Sequence, residues 1–111
     1  MAGGLQPSSN LEPMVNLGVQ IFEHADYGGD AWTFAPEEYV DDLTEFDEGL
    51  GLFGGDWNDK ISSIQLGRCY CEVWEDTSQR GASLILYQDT PNLGAIGWND
   101  RISTIWCPYQ S

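Results

Sequence analysis

The sequence predicts an all-β domain, a sandwich built from two copies of one supersecondary unit, and two observations support this prediction. The 111-residue chain has 13 glycines and an aromatic fraction of 13%. This composition suits tight turns and a ring-rich core, and Leu, Ala, Glu and Lys show no helical spacing. The peptide "WNDKISS" at 57–63 is also repeated as "WNDRIST" at 98–104. The length fits one domain rather than two.

Strands are expected at intervals along the chain. The segment "GVQIFEHADYGGDAWTF" predicts a strand through Phe22, a turn at Gly28 and Gly29, and a strand through Phe34. "KISSIQLGRCYCEVWE" predicts two strands that are broken near Gly67. "ASLILYQ" and "RISTIWC" predict two more. The acidic stretch "PEEYVDDLTEFDEGLGLFGGD" at 36–56 is expected to be a solvated surface.

The first hairpin is also repeated. When "IFEHADYGGDAWTF" is aligned with "VWEDTSQRGASLIL", Phe22 falls on Trp74 and Gly29 on Gly81. Each copy has the hairpin first and the Asn-Asp peptide last, and the first copy carries about ten extra residues around 49–55. Neither copy can bury a face alone, so we expect the two to pack into one sandwich.

The domain is expected to span residues 18–111, with a first unit at about 18–68 and a second at about 69–109. Residues 1–17, rich in Gly, Pro, Ser and Asn, are expected to form a flexible tail. This segment lacks the basic start and apolar core of a signal peptide. A cytoplasmic location is therefore expected, with export by another route left open.

The net charge of -14, from 18 acidic and 4 basic residues, limits the partners. Nucleic acid is an unsuitable partner because its binding requires lysine and arginine side chains on the phosphates. Anionic membranes are disfavoured by the same sign, and no stretch reaches the roughly 18 apolar residues of a membrane span. Calcium ions or a basic protein remain as partners, and we expect a monomer or a weak dimer.

The reactive side chains do not form a catalytic set. The chain has one histidine, His24, which argues against most histidine-based nucleophilic or zinc sites. An odd number of cysteines, Cys69, Cys71 and Cys107, does not make a disulfide framework. Buried apolar thiols are the favoured interpretation, with one bridge to Cys107 left open. We therefore expect that the protein is not an enzyme.

The two repeated elements resemble a known family. An aromatic-x-x-x-x-aromatic-x-Gly hairpin followed by (Asn/Asp)-(Asn/Asp)-x-x-(Ser/Thr)-Ser resembles the Greek key motifs of βγ-crystallins, from about Val19 to Trp106. The first copy matches throughout. In the second copy Gln79 replaces the second aromatic and Thr104 the final serine. The resemblance implies a β-sandwich of two intertwined Greek key motifs with about eight strands, as in γ-crystallin.

The same resemblance implies calcium sites, since calcium binds six to eight oxygen ligands of several kinds. Each site would combine a hairpin carbonyl, the carbonyl of the third motif residue, the hydroxyl of the fifth, and a side chain from the partner motif. On this chain the implied ligands are the carbonyls of Glu23, Glu75, Lys60 and Arg101, the hydroxyls of Ser62 and Ser103, and the side chains of Asp59 and Asp100, with Asn58 and Asn99 as ligands or turn residues. Which hairpin serves which motif is left open.

A strand that begins at about Lys60 would direct the backbone of Lys60 and the hydroxyl of Ser62 to one point. The sequence therefore predicts a protein that binds up to two Ca²⁺ ions, in a stress-related or structural role. One alternative is an interaction module, inhibitor-like or toxin-like, that binds a basic protein through the acidic stretch. Another is a structural sandwich in which Asn-Asp only forms turns.

Overall fold

The computed structural model describes residues 18–51 and 55–110, which form two antiparallel sheets. The strands are β1 (Val19–His24), β2 (Gly28–Phe34), β3 (Glu38–Val40), β4 (Ser63–Gln65), β5 (Cys71–Asp76), β6 (Arg80–Leu86) and β7 (Thr104–Cys107). Three 3₁₀ turns lie at Ala25–Tyr27, Leu43–Glu45 and Leu93–Ile96. The predicted tail at 1–17 lies outside the described residues. Within the described ranges, no helix has the length and apolar character needed to cross a membrane.

Each unit contributes one segment to the sheet of the other unit. The strand orders are β2-β1-β4 in one sheet and β3-β7-β5-β6 in the other. The first unit thus places β3 beside β7 of the second unit. In return, an isolated bridge joins Ile64 of β4 to Thr90, which precedes β7. This exchange confirms the predicted sandwich of intertwined Greek keys, although a single bridge stands where an eighth strand was expected.

The core lies between the two sheets, where alternate residues of each strand turn inward. Matching positions of the two units fill it, such as Ile61 with Ile102 and Leu43 with Leu93, all fully buried. All three cysteines are buried as thiols, as expected. Burial raises the pKa of Cys69 to about 11. A hydrogen bond with Cys71, together with burial, raises the pKa of Cys107 further.

The first hairpin turns earlier than the sequence predicted. The turn is Ala25–Tyr27, where Asp26 has a φ of 57° and Tyr27 a φ of 61°, and Gly28 already begins β2. Gly29 has a φ of 76°, and a Cβ there would lie 2.6 Å from His24 Cδ2. Glycine is therefore needed for close approach inside the strand rather than for the turn itself.

The acidic stretch is more structured than a solvated surface. It contains β3 and the 3₁₀ turn Leu43–Glu45, where Leu43 is fully buried and its N–H donates to the Ser103 carbonyl at 2.9 Å. Farther along, the Gly51 N–H donates to the Asp30 carboxylate of β2 at 2.6 Å. Gly49 and Gly51, in the described part of the extra segment, therefore lie against β2.

Candidate functional site

The first hairpin packs against the first Asn-Asp peptide. The Ser62 N–H donates to the Phe22 carbonyl at 2.9 Å, and the Ser63 hydroxyl donates to the His24 carbonyl at 2.7 Å. Glu23 lies between these two acceptors in β1. The hairpin of the first unit therefore packs against the motif of the same unit.

The second unit repeats this arrangement. The Ser103 N–H donates to the Trp74 carbonyl at 2.9 Å, and the Thr104 hydroxyl donates to the Asp76 carbonyl at 2.8 Å. Glu75 lies between the two acceptors in β5. Thr104 supplies the same hydroxyl as a serine would, so its substitution for the final serine of the motif preserves the contact.

The two Asn-Asp peptides are joined by a reciprocal pair of backbone hydrogen bonds. The Asp59 N–H donates to the Ile102 carbonyl, and the Asp100 N–H donates to the Ile61 carbonyl, both at 3.1 Å. Asp59 and Asp100 have φ values of 58° and 56°. Aspartate tolerates this left-handed conformation better than most residues. Each aspartate is thereby held next to the motif of the other unit.

The first cleft, of about 390 Å³, brings together one complete set of implied ligands. It is lined by Glu23, His24, Ala25, Asp59, Lys60, Ser62, Asn99 and Asp100. Ser62 is only 6% exposed, and its hydroxyl donates to Asp100 Oδ1 at 3.3 Å. The hydroxyl of one motif and the carboxylate of the other therefore converge beside the first hairpin.

The second cleft, of about 540 Å³, assembles a less complete set. It is lined by Thr44, Asn58, Asp59, Glu75, Asp76, Thr77, Arg80 and Ser103. Arg101 is not among the lining residues. Its guanidinium donates to the Gly97 carbonyl and to Glu75 Oε2, both at 2.6 Å, and lies 4.8 Å from the centre of the Trp98 ring. These contacts hold the Arg101 guanidinium against the Glu75 carboxylate and the Trp98 ring.

The carboxylates of the two clefts influence each other. Partial burial raises the pKa of Asp59, and the negative charge of Asp100 raises it further. By contrast, the hydrogen bond from Arg101 lowers the pKa of Glu75. Asp59 and Asp100 therefore repel one another across the shared end of the molecule, and a bound cation would relieve that repulsion.

One buried oxygen lacks a hydrogen-bond partner among the described residues. Asn58 Oδ1 is inaccessible to solvent and accepts no hydrogen bond, while Asn58 Nδ2 donates to Asp59 Oδ2 at 3.2 Å. A buried acceptor without a donor is unfavourable unless a ligand or water satisfies it. Asn58 lines the second cleft, so a rotation of its side chain would turn this oxygen toward a cation there.

The donors around both clefts are oxygens of three kinds: carbonyl, hydroxyl and carboxylate. In the part of the chain that the structure describes, no three Asp, Glu, His or Cys side chains form a metal-binding group. Any cation held by these residues would therefore depend on carbonyl and hydroxyl oxygens and water beside at most two carboxylates. Such a donor set fits calcium, which accepts mixed oxygen ligands in flexible geometry, and does not fit zinc.

Six cleft residues were not anticipated as site residues: His24, Ala25, Thr44, Asp76, Thr77 and Arg80. His24, set aside in the sequence as an exposed turn residue, ends β1 and lines the first cleft with its side chain 69% exposed. Asp76 lines the second cleft and occupies the position of the second hairpin that corresponds to His24 in the first. The hairpin repeat could therefore have indicated His24 and Asp76 as matching site residues, whereas nothing in the sequence indicated Thr44.

Comparison with known proteins supports the fold. No family model and no curated protein matches the chain. A βγ-crystallin from Ciona intestinalis is 26% identical with a TM-score of 0.62, and the match covers 83% of this chain and 98% of that one. A βγ-crystallin domain from Clostridium beijerinckii is 22% identical with a TM-score of 0.65, covering 85% and 99%.

A further solved structure, which concerns the evolution of the eye lens βγ-crystallin domain fold, is 20% identical with a TM-score of 0.69. The match covers 86% of this chain and 88% of that one. The chain therefore has the βγ-crystallin domain fold, which confirms the resemblance seen in its motifs. The ten implied calcium ligands stay a prediction, because likeness at these identities concerns the fold.

Proposed function

We propose that this domain binds up to two calcium ions in the two clefts, and that the ions stabilise the fold. The observation that carries the proposal is the convergence of three separate elements at the first cleft. These are the hairpin at Glu23, the hydroxyl of Ser62, and the carboxylate of Asp100, 3.3 Å from that hydroxyl.

At the first site, the carbonyls of Glu23 and Lys60, the Ser62 hydroxyl and the Asp100 carboxylate would hold the ion, and water would complete the six to eight ligands. Lys60 would contribute only its carbonyl, so its positive side chain can stay in solvent. The net charge of -14 creates a field that attracts divalent cations at low salt.

At the second site, the carbonyls of Glu75 and Arg101, the Ser103 hydroxyl and the Asp59 carboxylate would play the same roles. Rotation of the Asn58 side chain would offer Oδ1 as an additional ligand, since this buried oxygen lacks a donor among the described residues. A basic residue lines each cleft, Arg80 in the second and Lys60 in the first. Repulsion between the Arg80 guanidinium and the ion should weaken calcium binding at the second site.

Calcium would act as a cross-link between the two units. Each ion would connect a hairpin and a hydroxyl of one unit to an aspartate of the other. A ligand that binds only the native state stabilises that state by mass action. Such a role is structural rather than enzymatic, and it is compatible with a protein that has to persist under stress.

Thermal unfolding tests the proposal directly. Protein stripped with chelator should melt at a lower temperature than protein in calcium. At about 100 times the dissociation constant, one ion contributes about 2.7 kcal/mol, which is about 10 °C or more for a domain of this size. Magnesium at the same ionic strength should have a much smaller effect, because it requires regular octahedral geometry. Equal melting temperatures in chelator and in calcium would contradict the proposal.

A further inference from the structure

The second sheet carries one continuous row of side chains across all four of its strands. Tyr39 of β3 is paired with Trp106 of β7, Trp106 with Glu72 of β5, and Glu72 with Ile85 of β6. Residues directly opposite one another in antiparallel strands share a face. Both neighbours of Glu72 along β5 are fully buried, so the row lies on the outer face.

This row is largely apolar and open to solvent. Tyr39 and Ile85 are each 42% exposed, and Trp106 is half-buried between them. Beside the row, the rings of Tyr70 and Tyr87 are 5.4 Å apart, and Tyr87 is 59% exposed. We call this surface the outer aromatic face; it consists of Tyr39, Tyr70, Glu72, Ile85, Tyr87 and Trp106.

The fold does not require apolar side chains at these positions. In the first sheet, the matching row is polar. Gln20 lies in its middle and is paired with Thr33 on one side and with Gln65 on the other. The Gln20 side-chain amide donates to the Thr33 hydroxyl at 3.1 Å. The same place in the first unit is thus filled by polar side chains, so the aromatic row of the second unit calls for another explanation.

A single carboxylate lies within this face. Glu72 is half-buried between Trp106 and Ile85. Within residues 18–51 and 55–110 its side chain has no hydrogen-bond or ion-pair partner. The exposed acids Glu37 and Asp41 border the face beside Tyr39. A partly desolvated carboxylate among rings favours a cation, because it supplies a counter-charge and the ring faces attract positive charge.

We propose that the outer aromatic face is a docking surface for a segment of another protein that carries arginine or lysine among apolar side chains. The cation pairs with the Glu72 carboxylate, and the apolar side chains cover Ile85, Trp106 and the tyrosines. This inference does not depend on calcium. It gives the interaction-module alternative a defined surface, to which the acidic stretch contributes Tyr39 and which its acids Glu37 and Asp41 border.

Charge decides against two other occupants. The chain's own residues 1–17 contain no lysine and no arginine, so they offer no side-chain cation to Glu72. A second copy of the chain would add another net charge of -14. Like charges that meet at an interface are unfavourable.

The probe is a synthetic twelve-residue peptide that alternates arginine and leucine, compared with an equally charged peptide in which serine replaces leucine. Calorimetry at about 150 mM salt in chelator should give at least about tenfold tighter binding for the leucine peptide, because contact with the face adds to charge attraction. The amide resonances that shift should lie in β3, β5, β6 and β7. Equal affinity of the two peptides, or no binding of either, would overturn the proposal.

Variants of the protein separate local contact from general attraction. Glu72→Gln and Ile85→Thr should each weaken the leucine peptide by about fivefold or more. Ile85→Thr copies the residue found at the matching position, Thr33, so the fold should tolerate it. Glu45→Gln removes the same charge from an exposed position and should change affinity by less than about twofold. An equal loss for Glu45→Gln and Glu72→Gln would overturn the proposal.

Two further results would assign the face to another occupant and so overturn the proposal. One is self-association of the parent protein that Ile85→Thr abolishes, measured by sedimentation. The other is a change of the amide resonances of the outer aromatic face when residues 1–17 are deleted. The proposal predicts a monomer by sedimentation and unchanged amide resonances of the face after the deletion.

Discussion

The Ser62 hydroxyl donates a hydrogen bond to the Asp100 carboxylate at 3.3 Å, across 38 positions of the chain. Ser62 belongs to the first Asn-Asp peptide and Asp100 to the second, so the contact joins the two units. The first cleft is therefore completed by the partner unit, and a change in one motif should alter the cleft of the other.

The crossed arrangement predicts which hairpin responds to each aspartate. Asp100→Asn should weaken calcium binding at the Glu23 hairpin by about tenfold, since it removes the only carboxylate proposed for that site. Calcium-dependent amide shifts of the two hairpins measure this separately. Asp47→Asn, which removes the same charge from an exposed position, serves as the control. A loss confined to the Glu75 hairpin would show that the assignment is reversed.

The second site should become stronger when a nearby positive charge is removed. Arg80 lines the second cleft, so Arg80→Gln should raise calcium affinity there by a few fold at low salt. Arg68→Gln makes the same charge change at an exposed position outside both clefts and controls for net charge. Equal effects of the two substitutions in a calcium titration would mean that only net charge matters.

The two basic motif residues should differ in their effect on stability. Arg101 donates to Gly97 and to Glu75 and lies over Trp98, whereas the Lys60 side chain has no hydrogen-bond or ion-pair partner among the described residues. In chelator, Arg101→Met should lower the melting temperature by about 2 to 4 °C. Lys60→Met should change it by less than about 1 °C. A larger drop for Lys60→Met would contradict the assigned contacts.

The buried thiols should react slowly while the protein is folded. Burial raises the pKa of Cys69 from 9.0 to about 11, which lowers the reactive thiolate fraction at pH 8 by about a hundredfold. Alkylation followed by mass spectrometry should label the three cysteines only through unfolding. Calcium should slow the labelling further if it stabilises the fold. Rapid labelling of the folded protein, at the rate seen in urea, would exclude this burial.

Repetition made much of the fold predictable. The matched hairpins and Asn-Asp peptides indicated two packed units, and the same backbone hydrogen bonds recur at Ser62 and Ser103. At Gln79 the backbone conformation of the first hairpin is retained although the aromatic side chain is not. Its φ of 58° is close to the 61° of Tyr27, although the edge-to-face contact between Phe22 and Tyr27, 5.4 Å apart, has no counterpart there.

Features that depend on distant partners were not predictable. The acidic stretch lacks strand alternation, and β3 forms within it because Tyr39 pairs with Trp106 of the other unit. The strand predicted to begin at Lys60 begins instead at Ser63, since the preceding residues bond to the hairpin and to the other Asn-Asp peptide. The position of Asp100 in the first cleft likewise follows from the exchange between units.

Calcium titration calorimetry on chelator-stripped protein tests the central claim most directly. The parent should show two binding events. Ser62→Arg and Ser103→Arg should each lose one of them, because arginine removes an oxygen ligand and adds a repelling charge. No calcium-dependent heat in the parent, together with an unchanged melting temperature, would contradict the account and reduce the repeated peptide to a turn before a strand.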